Sequence, residues 1–227
     1  MKLRILVGSL LVWGSFPGWA MPGIGALALS GGRSFCAFSP FLNRSEKIEE
    51  SASFQVKKGD RKADAEQLAR ALDYFSSEKF HECLVLLQPL NRRYKLNPRY
   101  RAYLAVCLYY EWEYAEAIRL FDEVLPLLQG LAPHELSLYY WMDAESYFAL
   151  QQYDRALPLY EKMLPLCRDN EKPDAYYRMG FCHLFAEERK KAKECFELSL
   201  EGYLKYRNTP KEKARIAQIR HMIGGLK

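Results

Sequence analysis

The sequence predicts an all-α fold, a solenoid of about four helical hairpins closed by a C-terminal capping helix. Three observations predict it. From Asp64 onward, apolar residues recur at helical spacing. Small residues come in pairs twelve positions apart, and the pair occurs four times: Ala71 and Cys83, Ala105 and Ala117, Ala144 and Ala156, Gly180 and Ala192. Large side chains keep a fixed place relative to these pairs. Tyr74, Leu108, Tyr147 and His183 follow the first small residue by three; Leu87, Phe121, Tyr160 and Phe196 follow the second by four. The steps between units are 34, 39 and 36 residues, a repeat length typical of stacked helix pairs.

Before the repeats, the chain reads as a targeting segment and a connector. Lys2 and Arg4 precede the apolar run Ile5 to Trp13, Pro17 and Gly18 break it, and Gly18-Trp19-Ala20 offers small residues for a cut. This is the layout of a secretory signal over residues 1–20. A second cut is available after Ala28, and an uncleaved anchor is the other reading of the run. Cleavage after Ala20 removes Lys2 and Arg4 and takes the net charge from +5 to 5 − 2 = +3. Cys36 lacks a lipidation setting. Residues 21–63 lack sustained periodicity and read as a linker, with a sequon-like Asn43-Arg44-Ser45. Gly23-Ile24-Gly25-Ala26-Leu27-Ala28 has dinucleotide-loop spacing without the strand, helix and later acid that such a loop needs.

The repeat region, residues 64–227, is taken hairpin by hairpin. In each hairpin the small residues let helix A and helix B approach, and the large ones fill the space toward the next pair. The A–B turns fall at Ser76-Ser77-Glu78-Lys79, Glu111-Trp112-Glu113, Gln151-Gln152 and Glu187-Glu188. An aromatic opens helix B in three units, as Phe80, Tyr114 and Tyr153, and Arg189 takes that place in the fourth. The long second step predicts a longer helix B or a longer exit loop around Gly130 to Pro133. Interior proline removes a hydrogen bond. Pro89, Pro126 and Pro165 are therefore expected to bend or end their helices, and Pro158 to kink its own early. Last comes the cap, Lys211 to Ile223, with Thr209 as N-cap, Pro210 at the first helical position and Gly224-Gly225 as the stop.

Tyr114-Ala115-Glu116-Ala117-Ile118 and Tyr153-Asp154-Arg155-Ala156-Leu157 look like helix B openings of the tetratricopeptide repeat (TPR) family. Asp174-Ala175-Tyr176-Tyr177-Arg178-Met179-Gly180 looks like its helix A. The resemblance covers about residues 64–205 and implies a right-handed α-solenoid. The family's turn glycine is missing from all four units. The resemblance also implies a concave face lined by the A helices. Carried over position by position, that face consists of Leu68, Leu72 and Phe75; Ala102, Val106, Tyr109 and Tyr110; Trp141, Glu145 and Phe148; and Tyr177, Phe181, Leu184 and Phe185. The paired Lys and Asn with which some relatives hold a peptide carboxylate are absent from these positions.

Composition excludes several classes. Sixteen Tyr, twelve Phe and four Trp suffice for a packed core and exclude disorder of the whole chain. A net charge of +5 does not point to nucleic acid. Residues 189–227 hold eleven Lys or Arg against four Glu, which reads as a solvated face or as a weak contact with anionic membrane or an acidic partner. His81, His134, His183 and His221 are scattered, and neighbours such as Cys182-His183 diverge by about 100° on a helix, so no metal site and no cofactor is expected. No nucleophile or paired-carboxylate motif stands out, and no catalytic residue is assigned. Cys83, Cys107, Cys182 and Cys195 read as buried thiols, a state at odds with export to an oxidising compartment. Cys36 is the most reactive of the six.

These readings converge on a non-enzymatic scaffold, periplasmic or secreted, that binds a polypeptide in an aromatic groove. The alternative is a cytosolic secretion chaperone of the small TPR type, for which the first twenty residues must not act as a signal.

Overall fold

The computed structural model describes residues 61–226. The signal expectation, with Cys36 and the sequon, lies outside those residues, and so does the linker except for residues 61–63, which open α1. The described chain is helical, in the order α1 (Arg61–Ser76), α2 (Phe80–Tyr94), α3 (Pro98–Tyr110), α4 (Tyr114–Val124), α5 (Pro133–Ala149), α6 (Tyr153–Met163), α7 (Lys172–Phe185), α8 (Arg189–Tyr206) and α9 (Lys213–Gly225). The pairs α1/α2, α3/α4, α5/α6 and α7/α8 are the four hairpins, and consecutive hairpins pack on one another. The architecture is a right-handed helical solenoid.

The small-residue pairs are where the helices of each hairpin meet. Ala71, Ala105 and Ala144, their partners Cys83, Ala117 and Ala156, and Ala192 of the fourth pair are all fully buried. At Gly180 the approach is too close even for a methyl group: a Cβ there would stand 2.7 Å from the Phe196 ring. The bulky partners Leu87, Phe121, Tyr160 and Phe196 are fully buried as well. Burying each such side chain contributes about 1.5–3 kcal/mol. One helical turn further on stand Leu90, Val124, Met163 and Ser199. The Ser199 hydroxyl donates to the Pro173 carbonyl at 2.8 Å, which satisfies the one polar group in that layer.

The helix ends follow local chemistry. Pro98, Pro133 and Pro173 stand in the first turn of α3, α5 and α7, where the missing N–H has no intrahelical partner to lose. Asn97 caps α3, its side-chain oxygen accepting from the Tyr100 N–H at 3.0 Å. The long second step is an exit loop: α4 passes into a 3₁₀ turn at Leu125–Leu127, and residues 128–132 lead to α5.

Two of the four prolines stand inside their helices. Pro126 and Pro165 do stand where α4 and α6 give out, but α2 runs on through Pro89 to Tyr94 and α6 runs through Pro158. Both prolines are on the exposed side of helix B, where water can satisfy the carbonyl that each leaves unpaired.

The cap also differs in detail. Thr209 makes no side-chain capping bond, and Pro210–Glu212 form a 3₁₀ turn ahead of α9. Arg207 holds Glu212 at 2.5 Å and draws that turn in. The helix does not stop at Gly224-Gly225 but includes both. Leu226, packed against the core under the cap, holds the last turn down.

Candidate functional site

The A-helix face is built around aromatic rings that link neighbouring hairpins. In the first hairpin Leu68, Leu72 and Phe75 are half-buried. Phe75 stacks on Tyr103 of α3 at 4.3 Å and meets Phe80 edge-on at 5.9 Å. Phe80, which opens α2, stacks face to face on Tyr110 at 4.0 Å. Tyr109 meets Tyr110 edge-on at 5.2 Å and Tyr114 at 5.9 Å. The third and fourth hairpins repeat the device. Phe148 meets Tyr153 edge-on at 5.0 Å, and Tyr153 stacks on Phe185 at 4.3 Å. In both cases the ring that opens helix B bridges the last turn of its own helix A to the last turn of the next. The opening aromatic that sequence reading placed at each turn is therefore a bridging group.

The face is not uniformly open. Ala102 and Val106, at 0% and 1% exposure, are enclosed in the packing of α3. Trp141, at 8%, turns its ring edge-on to Tyr160 at 5.5 Å. Tyr177, at 4%, lies beneath the cap, with the Arg215 guanidinium 4.1 Å from its ring centre. Phe181 and Leu184 are half-buried against the same cap residues. What remains accessible is Leu68, Leu72, Phe75, Tyr109, Tyr110 and Phe148 in part, and Phe185 at 52%.

In its middle is an ion pair that the sequence reading did not find. Glu145 accepts from the Arg178 guanidinium at 2.6 Å and from the Tyr160 hydroxyl at 2.5 Å. Arg178 also lies over the Phe148 ring, 4.7 Å from its centre, a favourable cation–π distance. Burial opposes the charge on Arg178, yet the carboxylate of Glu145 holds its pKa above the ordinary value. Burial, with the Glu145 charge nearby, pushes the Tyr160, Tyr109 and Tyr114 hydroxyls up. All three stay protonated and present hydrogen-bond donors around one compensated pair. The signal for Arg178 is its type: a guanidinium in the interior of a helix whose neighbours are mostly apolar and aromatic.

The histidines are dispersed. His81 pairs with Glu111 at 3.0 Å, His183 with Glu188 at 2.7 Å, and His134 stands 3.6 Å from Glu171. Among the described residues no three His, Cys, Asp or Glu side chains gather as a metal site would require. The arrangement offers rings, tyrosine donors and a neutralised ion pair, which suit contact with an apolar or amphipathic chain.

Neither a protein-family model nor a curated protein matches the chain. Solved structures do. A structure of MamA AMB-1 is 15% identical with a TM-score of 0.58, covering 73% of this chain and 85% of that one. MamA from Desulfovibrio magneticus RS-1 is 17% identical with a TM-score of 0.51, over 75% of this chain and 95% of that one. The apo form of RapI is 12% identical with a TM-score of 0.55, over 71% and 62% of the two chains. At such identities the likeness shows the fold, and that fold is a TPR-like helical solenoid.

Proposed function

We propose that the chain is a non-enzymatic protein–protein interaction scaffold, exported to the cell envelope, that binds a polypeptide partner along the aromatic face of its A helices. One observation carries the binding reading: Phe148, Tyr153 and Phe185 form a cluster of packed rings, partly open to solvent, beside the Glu145–Arg178 pair. Rigid rings that are already packed lose little entropy when a partner settles on them. Export rests on Lys2, Arg4 and the apolar run Ile5 to Trp13. The basic stretch 189–227 adds a weak attraction to anionic membrane.

The test is a pull-down from envelope extract with the wild type and with Phe148→Ala combined with Phe185→Ala. Loss of the captured polypeptide in a variant that melts like the wild type supports the groove. Undiminished capture removes these residues from the site. Trp141 is left intact because it is core.

A second reading, a cytosolic secretion chaperone, draws on the thiols Cys83, Cys107, Cys182 and Cys195, all buried and none in a disulfide, which suit a reducing compartment. Fractionation with N-terminal sequencing separates the two. A mature start at Met21 in the envelope excludes the chaperone, and an intact Met1 in the cytosol excludes export.

A further inference from the structure

One face of α5 is turned toward the preceding hairpin. Tyr139 meets Phe121 of α4, with ring centres 6.4 Å apart. Two turns later Tyr147 donates its hydroxyl to Asp122 of α4 at 2.7 Å. Asp143 lies midway between these two, four residues from each, and so on the same face. It is 0% exposed, and neither of its carboxyl oxygens has a hydrogen-bond partner.

The repeat shows how unusual this is. Asp143 stands one residue before the small residue of its helix A. In the second and fourth hairpins that position is Leu104 and Met179, both buried. In the first it is Arg70, which is exposed. An acid therefore occupies a layer that is otherwise apolar wherever a preceding hairpin covers it. It does so at the junction with the longest step, after the 3₁₀ turn at Leu125–Leu127.

We propose that Asp143 makes the junction between the second and third hairpins a pH-set device: protonated, it lets α5 close on α4, and ionised, it loosens that contact.

The surrounding groups favour the neutral acid. Burial pushes the Asp143 pKa up to about 8, Asp122 on α4 adds a repelling charge, and Lys162 on α6 only partly opposes them. Lys162 lies over the Tyr140 ring at 5.9 Å, and Arg155 of α6 over the Tyr147 ring at 5.4 Å. On α5 itself Tyr139 bonds Glu135 at 2.8 Å. Tyr103 of α3 lies near Tyr139, and both phenols are pushed up by burial, so neither supplies charge in this range. When Asp143 loses its proton to water, its new charge has only Lys162 to offset it and Asp122 to oppose it. The contact between α4 and α5 relaxes until water reaches the carboxylate.

This matters for the A-helix face, because α5 also carries Trp141, Glu145 and Phe148. Loosening α5 on α4 shifts those side chains relative to Tyr109 and Tyr110 of the second hairpin. The device thus governs whether the two ring clusters form one continuous surface.

Hydrogen exchange on the full chain, corrected for intrinsic rates, tests the proposal at about pH 6 and about pH 9.5. The expected result is a loss of protection of about tenfold or more in α4 and α5, with α7 and α8 unchanged, and no such loss in Asp143→Asn. Asp143→Leu, which copies the second hairpin, serves as the second variant if the amide variant fails to fold. A wild type whose α4 and α5 protection is unchanged over that range overturns the proposal. So does the same local loss in a folded variant, or a loss spread evenly over all helices.

Discussion

Four residues that are not glycine hold the left-handed backbone conformation at the same place in each repeat. They are Glu78, Trp112, Gln151 and Glu187, with φ of 58°, 65°, 60° and 62°. Each stands seven residues after the first small residue, where the TPR pattern has glycine. The hydrogen bonds explain why the turn forms without it. In every unit the N–H of this residue reaches the carbonyl three back, as in Gln151 to Phe148 at 3.0 Å. The next N–H reaches five back, as in Gln152 to Tyr147 at 2.9 Å. This is a Schellman closure of helix A, repeated four times. A side chain in this conformation costs about 1–2 kcal/mol, which glycine avoids. Gln151→Gly is therefore expected to raise stability by about 1 kcal/mol, offset in part by the greater freedom of glycine in the unfolded chain. Denaturant unfolding checks it as a higher midpoint at unchanged slope. Gln151→Val, β-branched and worse suited to this conformation, should move the midpoint the other way.

At the scale of elements, the first and fourth hairpins share a clamp at the open ends of their helices. Asp64, in the first turn of α1, accepts from Arg93 and Tyr94 at the end of α2. Asp174, in the first turn of α7, accepts from Tyr203 and from Arg207, at and just past the end of α8. The second hairpin reverses the charges, with Arg101 of α3 on Glu123 of α4. The Tyr94 hydroxyl and the Arg93 guanidinium hold the Asp64 carboxyl below its ordinary value. A depressed acid adds stability that is complete above the unfolded value, about 4, and is lost as pH falls through the folded value. Plotted against pH, the unfolding midpoint should fall on the acid side in the wild type and fall less steeply in Asp64→Asn. Equal slopes would mean that the clamp carries no such linkage. These clamps were invisible in the sequence because their offsets differ from unit to unit, whereas the small-residue pairs keep one spacing and were readable at once. The candidate face was readable only in part. Spacing places Val106, Trp141 and Tyr177 on the same side of their helices as Phe148 and Phe185. It cannot say which of them a neighbouring helix covers. The family pattern directs attention to other positions of helix A and does not single out Arg178.

Across the whole molecule, each hairpin rests mainly on its neighbours, so stability is close to a sum of local and nearest-neighbour terms. On the fourth hairpin it is the single helix α9 that packs. Ile216 and Ile219 share one buried cluster with Tyr177, Phe196 and Tyr203, and Met222, Ile223 and Leu226, like Phe181 and Leu184, pack against that cluster. Ile219→Ala leaves a cavity in that contact and should cost about 2–5 kcal/mol, because Ile219 is fully buried. In a one-dimensional stack the loss should be uneven. Hydrogen exchange should quicken first in α7, α8 and α9, with α1 to α4 keeping most of their protection. Equal loss in all helices would show that the array unfolds as one cooperative block. Confinement to the last hairpin and its cap would show that α9 holds Tyr177 and Phe181 in place while the rings of the other hairpins stay as they are.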